Sequence, residues 1–81
     1  MEEKVSIIGI IVENVDSTDK LNALLHEYGS YIIGRMGIPY KERGISLISV
    51  ALDAAPDTIS SLTGRLGQIS GVSVKAAVSK K

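Results

Sequence analysis

Between Tyr31 and Asp53 the chain lays down two apolar runs, Tyr31 to Ile38 and Ile45 to Asp53, around a short polar turn that contains Pro39 and Gly44. Runs this short and rich in β-branched residues read as strands, and so brief a connection makes them an antiparallel hairpin. The rest of the chain is arranged about this hairpin. A strand-then-helix pattern precedes it, and a helix-then-strand pattern follows.

The first strand is Lys4 to Val12 (KVSIIGIIV). Its two faces are Ser6, Ile8, Ile10, Val12 and Val5, Ile7, Gly9, Ile11, both largely apolar, as in a central strand covered on both sides. Asn14 to Thr18 offers several helix caps, with Asp16 and Ser17 best placed, and Asp19 adds negative charge to the first turn. Leu21, Leu24, Leu25 and Tyr28 then recur at i, i+3, i+4 and i+7, one apolar stripe of a helix that Gly29 ends.

In the second strand, Gly34 and Gly37 predict a bulge or a close backbone approach. Pro39 to Arg43 turns the chain, Gly44 takes a positive φ, and Ile45 to Leu52 forms the third strand. Pro56 suits the first position of a second helix, with Asp57 in its first turn. The stripe Ile59, Leu62, Leu66, Ile69 carries that helix to about Leu66, where Gly67 or Gly71 stops it. Val72, Val74, Ala76 and Val78 alternate with Ser73, Lys75, Ala77 and Ser79, the pattern of a half-exposed edge strand.

The order β-α-β, β-α-β belongs to the α+β class and is the ferredoxin-like, split βαβ arrangement. Right-handed crossovers put both helices on one face of a four-stranded antiparallel sheet, with the first and third strands at its centre. Eighty-one residues leave no room for a second core, so residues 1–81 are expected to form one domain. The other sheet face then carries Ile7, Ile11 and Leu47, an apolar patch of the kind that marks an interface. A homo-oligomer, dimer or tetramer, is the expected state.

Composition narrows the chemistry. The chain has no Cys, which excludes a disulfide framework, a thiolate metal site and a cysteine nucleophile. Nine basic and nine acidic residues cancel, so no general electrostatic attraction draws it to nucleic acid. Lys80 and Lys81 read as a solvated end. No apolar run approaches the roughly 20 residues of a membrane span, and the first residues lack the character of a signal peptide, so a cytoplasmic location is expected.

His26, the only histidine, has no ligand spacing to another donor and reads as a surface residue, so no metal and no cofactor are expected. Asn14, Asp16, Asp53 and Asp57 fall near helix starts and share one rim if the ends of the first and third strands meet there. Paired carboxylates can do acid–base work or hold a cation, but capping and dipole roles account for Asp16 and Asp57. Arg35, between Gly34 and Gly37, is either a contact to an anionic ligand or an interface carboxylate, or an edge-strand arginine paired with a surface acid. Tyr40, Lys41, Glu42 and Arg43 read as a solvated loop in which Tyr40 can anchor a subunit contact. Gly64, Gly67 and Gly71 lack the context of a phosphate loop and are read as close helix packing and termination. No catalytic triad or dyad is spelled out, so the chain is not expected to be an enzyme.

Two segment pairs carry a resemblance: Gly34 to Tyr40 (GRMGIPY) with Arg43 to Ser46 (RGIS), and Leu62 to Gly67 (LTGRLG) with Ser70 to Lys75 (SGVSVK). Over nearly its whole length the chain resembles the small iron-only hydrogenase system regulators, described as transcriptional regulators with a nickel-regulator C-terminal-like, ACT-like domain. The resemblance implies a ferredoxin-like, ACT-like domain that oligomerises and serves a hydrogenase regulatory system. Within these segments, Gly34, Arg35, Met36, Gly37, Tyr40 and Arg43 are the ligand or interface candidates. The sequence departs from the nickel-regulator pattern in lacking a ribbon-helix-helix segment and the His and Cys of a nickel site, so no metal ligand carries over. The implied remainder is a non-enzymatic sensing domain with a small ligand or protein partner at a subunit interface. A direct DNA-binding repressor is the alternative, disfavoured by zero net charge. An acylphosphatase-like hydrolase is more remote, because Glu13 to Asp16 is acidic and lacks the phosphate-binding arginine.

Overall fold

A computed structural model describes residues 2–81. In chain order the elements are β1 (Lys4–Val12), α1 (Thr18–Glu27), β2 (Ile32–Tyr40), β3 (Ile45–Ala54), α2 (Pro56–Gly67) and β4 (Val72–Val78). The sheet is antiparallel throughout, in the order β2-β3-β1-β4. This is the expected ferredoxin-like topology, with the two most apolar strands at the centre.

Alternation along the strands sorts the residues into two layers. Ile8, Ile10, Val12, Val50, Leu52 and Ala54 face the helices and meet Leu21, Leu24 and Leu25 of α1 and Ile59, Leu62 and Leu66 of α2. The first predicted helix stripe is therefore buried down to Tyr28, just past α1, and the second is buried through Leu66, with Ile69 partly buried beyond the end of α2. Tyr28 keeps its hydroxyl satisfied at the core margin, 2.9 Å from Ser61 Oγ and 3.2 Å from the Nη1 donor of Arg65. Arg65 also pairs with Glu27, so a polar cluster ties the end of α1 to α2.

Several local expectations change. The hairpin is longer than its apolar runs: Pro39 pairs with Ser46 and Tyr40 with Ile45, so both belong to β2 and only residues 41–44 turn. A proline is tolerated there because β2 is an edge strand with no neighbour on its outer side. The register slips between Ile32 and Gly34, the bulge that the glycines announced, whereas Gly37 sits in regular pairing.

At the start of α1, Asn14 rather than Asp16 makes the capping bond, its Oδ1 accepting from Asp16 N at 3.0 Å at the head of a 3-10 turn, Val15–Ser17. Ser17 holds the cap position, but its hydroxyl donates to the Ser70 carbonyl at 2.6 Å instead. Gly29 does not end α1 with a left-handed turn; the helix passes into a 3-10 turn, Gly29–Tyr31. Among the described residues positive φ occurs only at Gly44 (65°) and Gly71 (73°). At Gly71 a Cβ would also lie 2.6 Å from Asn14 Cβ, whereas Gly64 and Gly67 have nothing within 4 Å, so close packing does not explain those two.

The shared rim of Asn14, Asp16, Asp53 and Asp57 does not form. Antiparallel pairing sets Val12 opposite Ser46 and Ala54 opposite Lys4, so the ends of β1 and β3 lie at opposite ends of the sheet. The two acidic groups follow those ends and cannot act as a carboxylate pair.

Candidate functional site

The six residues singled out from the sequence are split by the period of the strand. Gly34, Met36 and Tyr40 pair with Ala51, Ser49 and Ile45 and share their face, the one the helices leave open. Arg35 and Gly37 pair with Val50 and Ile48 and share the helix side. Arg43 stands in the turn, outside both groups. The stretch therefore contributes to two surfaces on opposite sides of the sheet.

The open face is a continuous apolar surface. Cross-strand pairing sets Ile38, Leu47, Ile11 and Ser73 in one row, Met36, Ser49, Gly9 and Lys75 in the next, and Gly34, Ala51, Ile7 and Ala77 in a third. The large members are far from buried: Ile7 is 54% exposed, Ile38 51% and Met36 62%. Within the strands only Lys75 and Asp53 bring charge to this face, the first on edge strand β4 and the second near the end of β3. Beside Gly9 lies a hollow of about 390 Å³ walled by Ile11, Leu47 and Lys75. An added Cβ at Gly9 would meet only Lys75 O, at 3.8 Å, so the chain's own packing does not require a glycine there.

The other surface is a cleft on the helix side, between α1 and edge strand β2, with a volume of about 220 Å³. Arg35 reaches across it and donates from Nη2 to Asn22 Oδ1 at 3.1 Å. Thr18 and Ser46 add hydroxyls to the wall, and Val12, Leu21, Pro39 and Ile48 form an apolar floor. Among the described residues no carboxylate lies within ion-pair distance of Arg35. The surface acid proposed as its partner is absent, and a neutral amide takes that place. Asn22, Thr18 and Ser46 were not singled out from the sequence. Polar residues at a helix start and on a strand carry no signal of their own until the fold sets them opposite Arg35.

Three polar side chains of α1 and α2, Glu27, Tyr28 and Arg65, form the other cluster of note. Hydrogen bonding from Arg65 holds the Glu27 carboxyl below its ordinary range. Bonds with Ser61 and then Arg65 lower the Tyr28 hydroxyl, and the Glu27 bond, with Tyr28 second, raises the guanidinium. These charges are spent on one another. No group of three or more His, Cys, Asp or Glu comes together among the described residues.

With both surfaces located, relatives of known sequence and fold can be compared. TM1266-like proteins, provisionally described as iron-only hydrogenase system regulators, form a family whose model matches residues 4–76. The chain belongs to this family. It superposes on the uncharacterized protein TM1266 from Thermotoga maritima with a TM-score of 0.93 and 38% identity, over 98% of this chain and 100% of that one. The C-terminal domain of the MgtC protein from Mycobacterium tuberculosis is also similar, with a TM-score of 0.71 and 17% identity over 95% of this chain and 88% of that one. A formyltetrahydrofolate deformylase from Pseudomonas putida gives 0.65 and 15%, over 90% of this chain and 28% of the enzyme. Identities that low speak for the shared fold alone. No curated protein matches the sequence. Both resembling segment pairs lie within the matched residues, and the family's described role is regulatory. No helix among the described residues is long and apolar enough to cross a membrane.

Proposed function

We propose that the chain is a non-catalytic regulatory domain of the iron-only hydrogenase system that works as a homodimer joined through the open faces of its two sheets. The observation that carries this reading is the apolar open face. Four strands about 4.8 Å apart and seven residues of about 3.3 Å rise give a flat footprint of roughly 450 Å², before side-chain relief is added. That is within the range at which a patch on a monomer marks an interaction site, and two such faces together approach the area of a stable small interface.

The composition supports a second copy as the occupant. Ile7, Ile11, Met36, Ile38 and Leu47 surround the small residues Gly9 and Ser49, while one acid and one base stand on outer positions, Asp53 and Lys75. That is the arrangement of a core with a polar rim. An isologous pair can set the Lys75 of each copy toward an acid of the other. The hollow beside Gly9 then receives a side chain from the facing sheet. Zero net charge leaves no attraction to a phosphate backbone, so regulation through a partner or ligand is favoured over direct DNA contact.

Size-exclusion chromatography with light scattering tests the reading. The expected mass at micromolar concentration is twice 8.6 kDa. Ile7→Glu, on the exposed face, is expected to give a folded monomer with an unchanged circular dichroism spectrum. A wild-type monomer, or a dimer indifferent to that substitution, refutes the proposed interface.

A further inference from the structure

We infer that the cleft between α1 and β2 is a binding site for a small organic carboxylate with an apolar body. The inference names the ligand class of the regulatory domain and so rests on that reading, but it does not require the dimer, because the cleft lies within one chain on the opposite side of the sheet.

The chemistry of the cleft is that of hydrogen-bond donors around one positive charge. A guanidinium has five N–H groups. Only the Nη2 bond to Asn22 engages Arg35 among the described residues, which leaves most of the fork free. Because Asn22 accepts from Arg35 through Oδ1, its Nδ2 donors stay available beside the guanidinium. Thr18 and Ser46 bring two hydroxyls to the same wall. A carboxylate offers acceptors only and matches the planar fork in a bidentate pair. Thr18 is also the first residue of α1, where the helix dipole adds positive potential.

Charge count and size narrow the class. One guanidinium without a second cation in the wall suits a singly charged head better than a phosphomonoester. At about 220 Å³ the cleft is smaller than the 300–1,000 Å³ of drug-sized sites, so it takes a molecule of a few heavy atoms. Its floor is apolar, and a neighbouring hollow of about 410 Å³ shares Val12, Pro39 and Ser46 with it and continues toward Val15 and Ile45, with Tyr40 and Lys41 at its rim. A branched aliphatic tail can follow Pro39 in that direction. A hollow of about 400 Å³ between α1 and α2 suits an anion less well, because the Glu27 carboxylate stands in its wall beside Lys20 and engages Arg65.

Gly37 keeps the cleft open: it faces the helix side beside Arg35, and nothing lies within 4 Å of the position a Cβ would take. A side chain there would occupy ligand space without disturbing the fold. Gly37→Val is therefore a blocking variant that leaves the guanidinium intact.

The test is a nitrogen-15 NMR titration of the full chain with sodium isovalerate, sodium acetate and the uncharged isostere isovaleramide, at constant ionic strength. Expected are saturable shifts at the Asn22 side-chain amide, the Arg35 Nε–H and the Gly37 amide with isovalerate, weaker binding of acetate, and none of the amide. Arg35→Gln is expected to weaken isovalerate at least tenfold, and Gly37→Val to abolish its binding. No saturable shift at Asn22 and Arg35 up to tens of millimolar isovalerate overturns the site, as does equal binding of the amide or unchanged binding by Arg35→Gln. Light scattering on the same samples separates the two readings. A monomer that binds isovalerate supports the cleft and removes only the dimer, while a dimer that binds no carboxylate overturns the cleft alone.

Discussion

Gly44 and Gly71 share a backbone conformation but not an environment, and substituting each by alanine separates two costs. Both have positive φ, 65° and 73°. Placing a Cβ in the left-handed region costs roughly 1–2 kcal/mol. At Gly44 nothing lies within 4 Å of the new atom, so Gly44→Ala carries that cost alone. At Gly71 the new Cβ falls 2.6 Å from Asn14 Cβ, 3.0 Å from Asn14 N and 3.4 Å from Asn14 Cα. None of these is the tip of a flexible side chain. Asn14 is held by its capping bond to Asp16 N, and the adjacent Glu13 N donates to the Gly71 carbonyl at 2.7 Å. Relieving the clash means disturbing the junction that joins the end of β1 to the start of β4. Gly71→Ala is therefore expected to cost about 3–4 kcal/mol in all, a large share of the roughly 4–12 kcal/mol expected for a chain of this length. The gap of about 2 kcal/mol between the variants corresponds to roughly 10 °C or more in Tm at this size. Urea unfolding followed by circular dichroism measures it, at matched protein concentration because association adds to apparent stability. Asn14→Gly removes the opposing Cβ, so Gly71→Ala made in that background recovers part of the loss. Equal losses from Gly44→Ala and Gly71→Ala would refute the close approach.

Other expectations follow from single groups. Ser6 is 1% exposed and its Oγ has no hydrogen-bond partner among the described residues, so Ser6→Ala is expected to stabilise the chain by about 1 kcal/mol; a clear loss in urea unfolding would mean that the hydroxyl has a partner. Glu27 has its carboxyl pKa lowered by Arg65, so whatever stability the pair supplies is present above the ordinary carboxylate range and is lost as pH falls through the lowered value. Both side chains are about half exposed, so global stability changes little, and the sensitive readout is the carbon-13 titration of Glu27. In Arg65→Gln that titration should move up, and an unmoved midpoint would show that the ion pair does not persist in solution.

What could be read from the sequence followed hydrophobic spacing closely. The double-sided apolar character of Lys4 to Val12 placed it at the sheet centre, and the stripes through Leu21 and Ile59 gave the buried helix faces. Where the reading failed, the missing information was three-dimensional. The length of the hairpin was underestimated because a proline usually ends a strand, and only the edge position of β2 permits Pro39 within one. The shared acidic rim failed because it ignored the antiparallel sense of β1 and β3. Asn14 and Ser17 were both recognised as cap candidates, but the competing Ser70 carbonyl that claims Ser17 lies 53 residues away. The candidate residues around Arg35 lie in one segment, but the strand divides them between two faces. Adjacent strand residues cannot share a face. The amide that accompanies Arg35 sits 13 residues away on α1, at an exposed helix position with no distinguishing pattern.

That alternation gives β2 its significance. Arg35 and Gly37 line the cleft, while Met36 and Ile38 lie on the open face, so neighbouring peptide units serve both surfaces. The strand is paired on one edge only, and the bulge at Ile32 to Gly34 interrupts its register just before the shared segment. Such a strand shifts at lower cost than β1 or β3, which are locked between two neighbours. A carboxylate that grips Arg35 would act on the same backbone that sets Met36 and Ile38 against a facing sheet. Thermodynamic linkage makes the consequence quantitative. If isovalerate changes the dimer dissociation constant by some factor per site, dimerisation must change isovalerate affinity by the same factor. Measuring both in one preparation closes the cycle. A common factor different from one would show that the two surfaces are coupled, and a factor of one would make β2 a rigid strand with two independent faces.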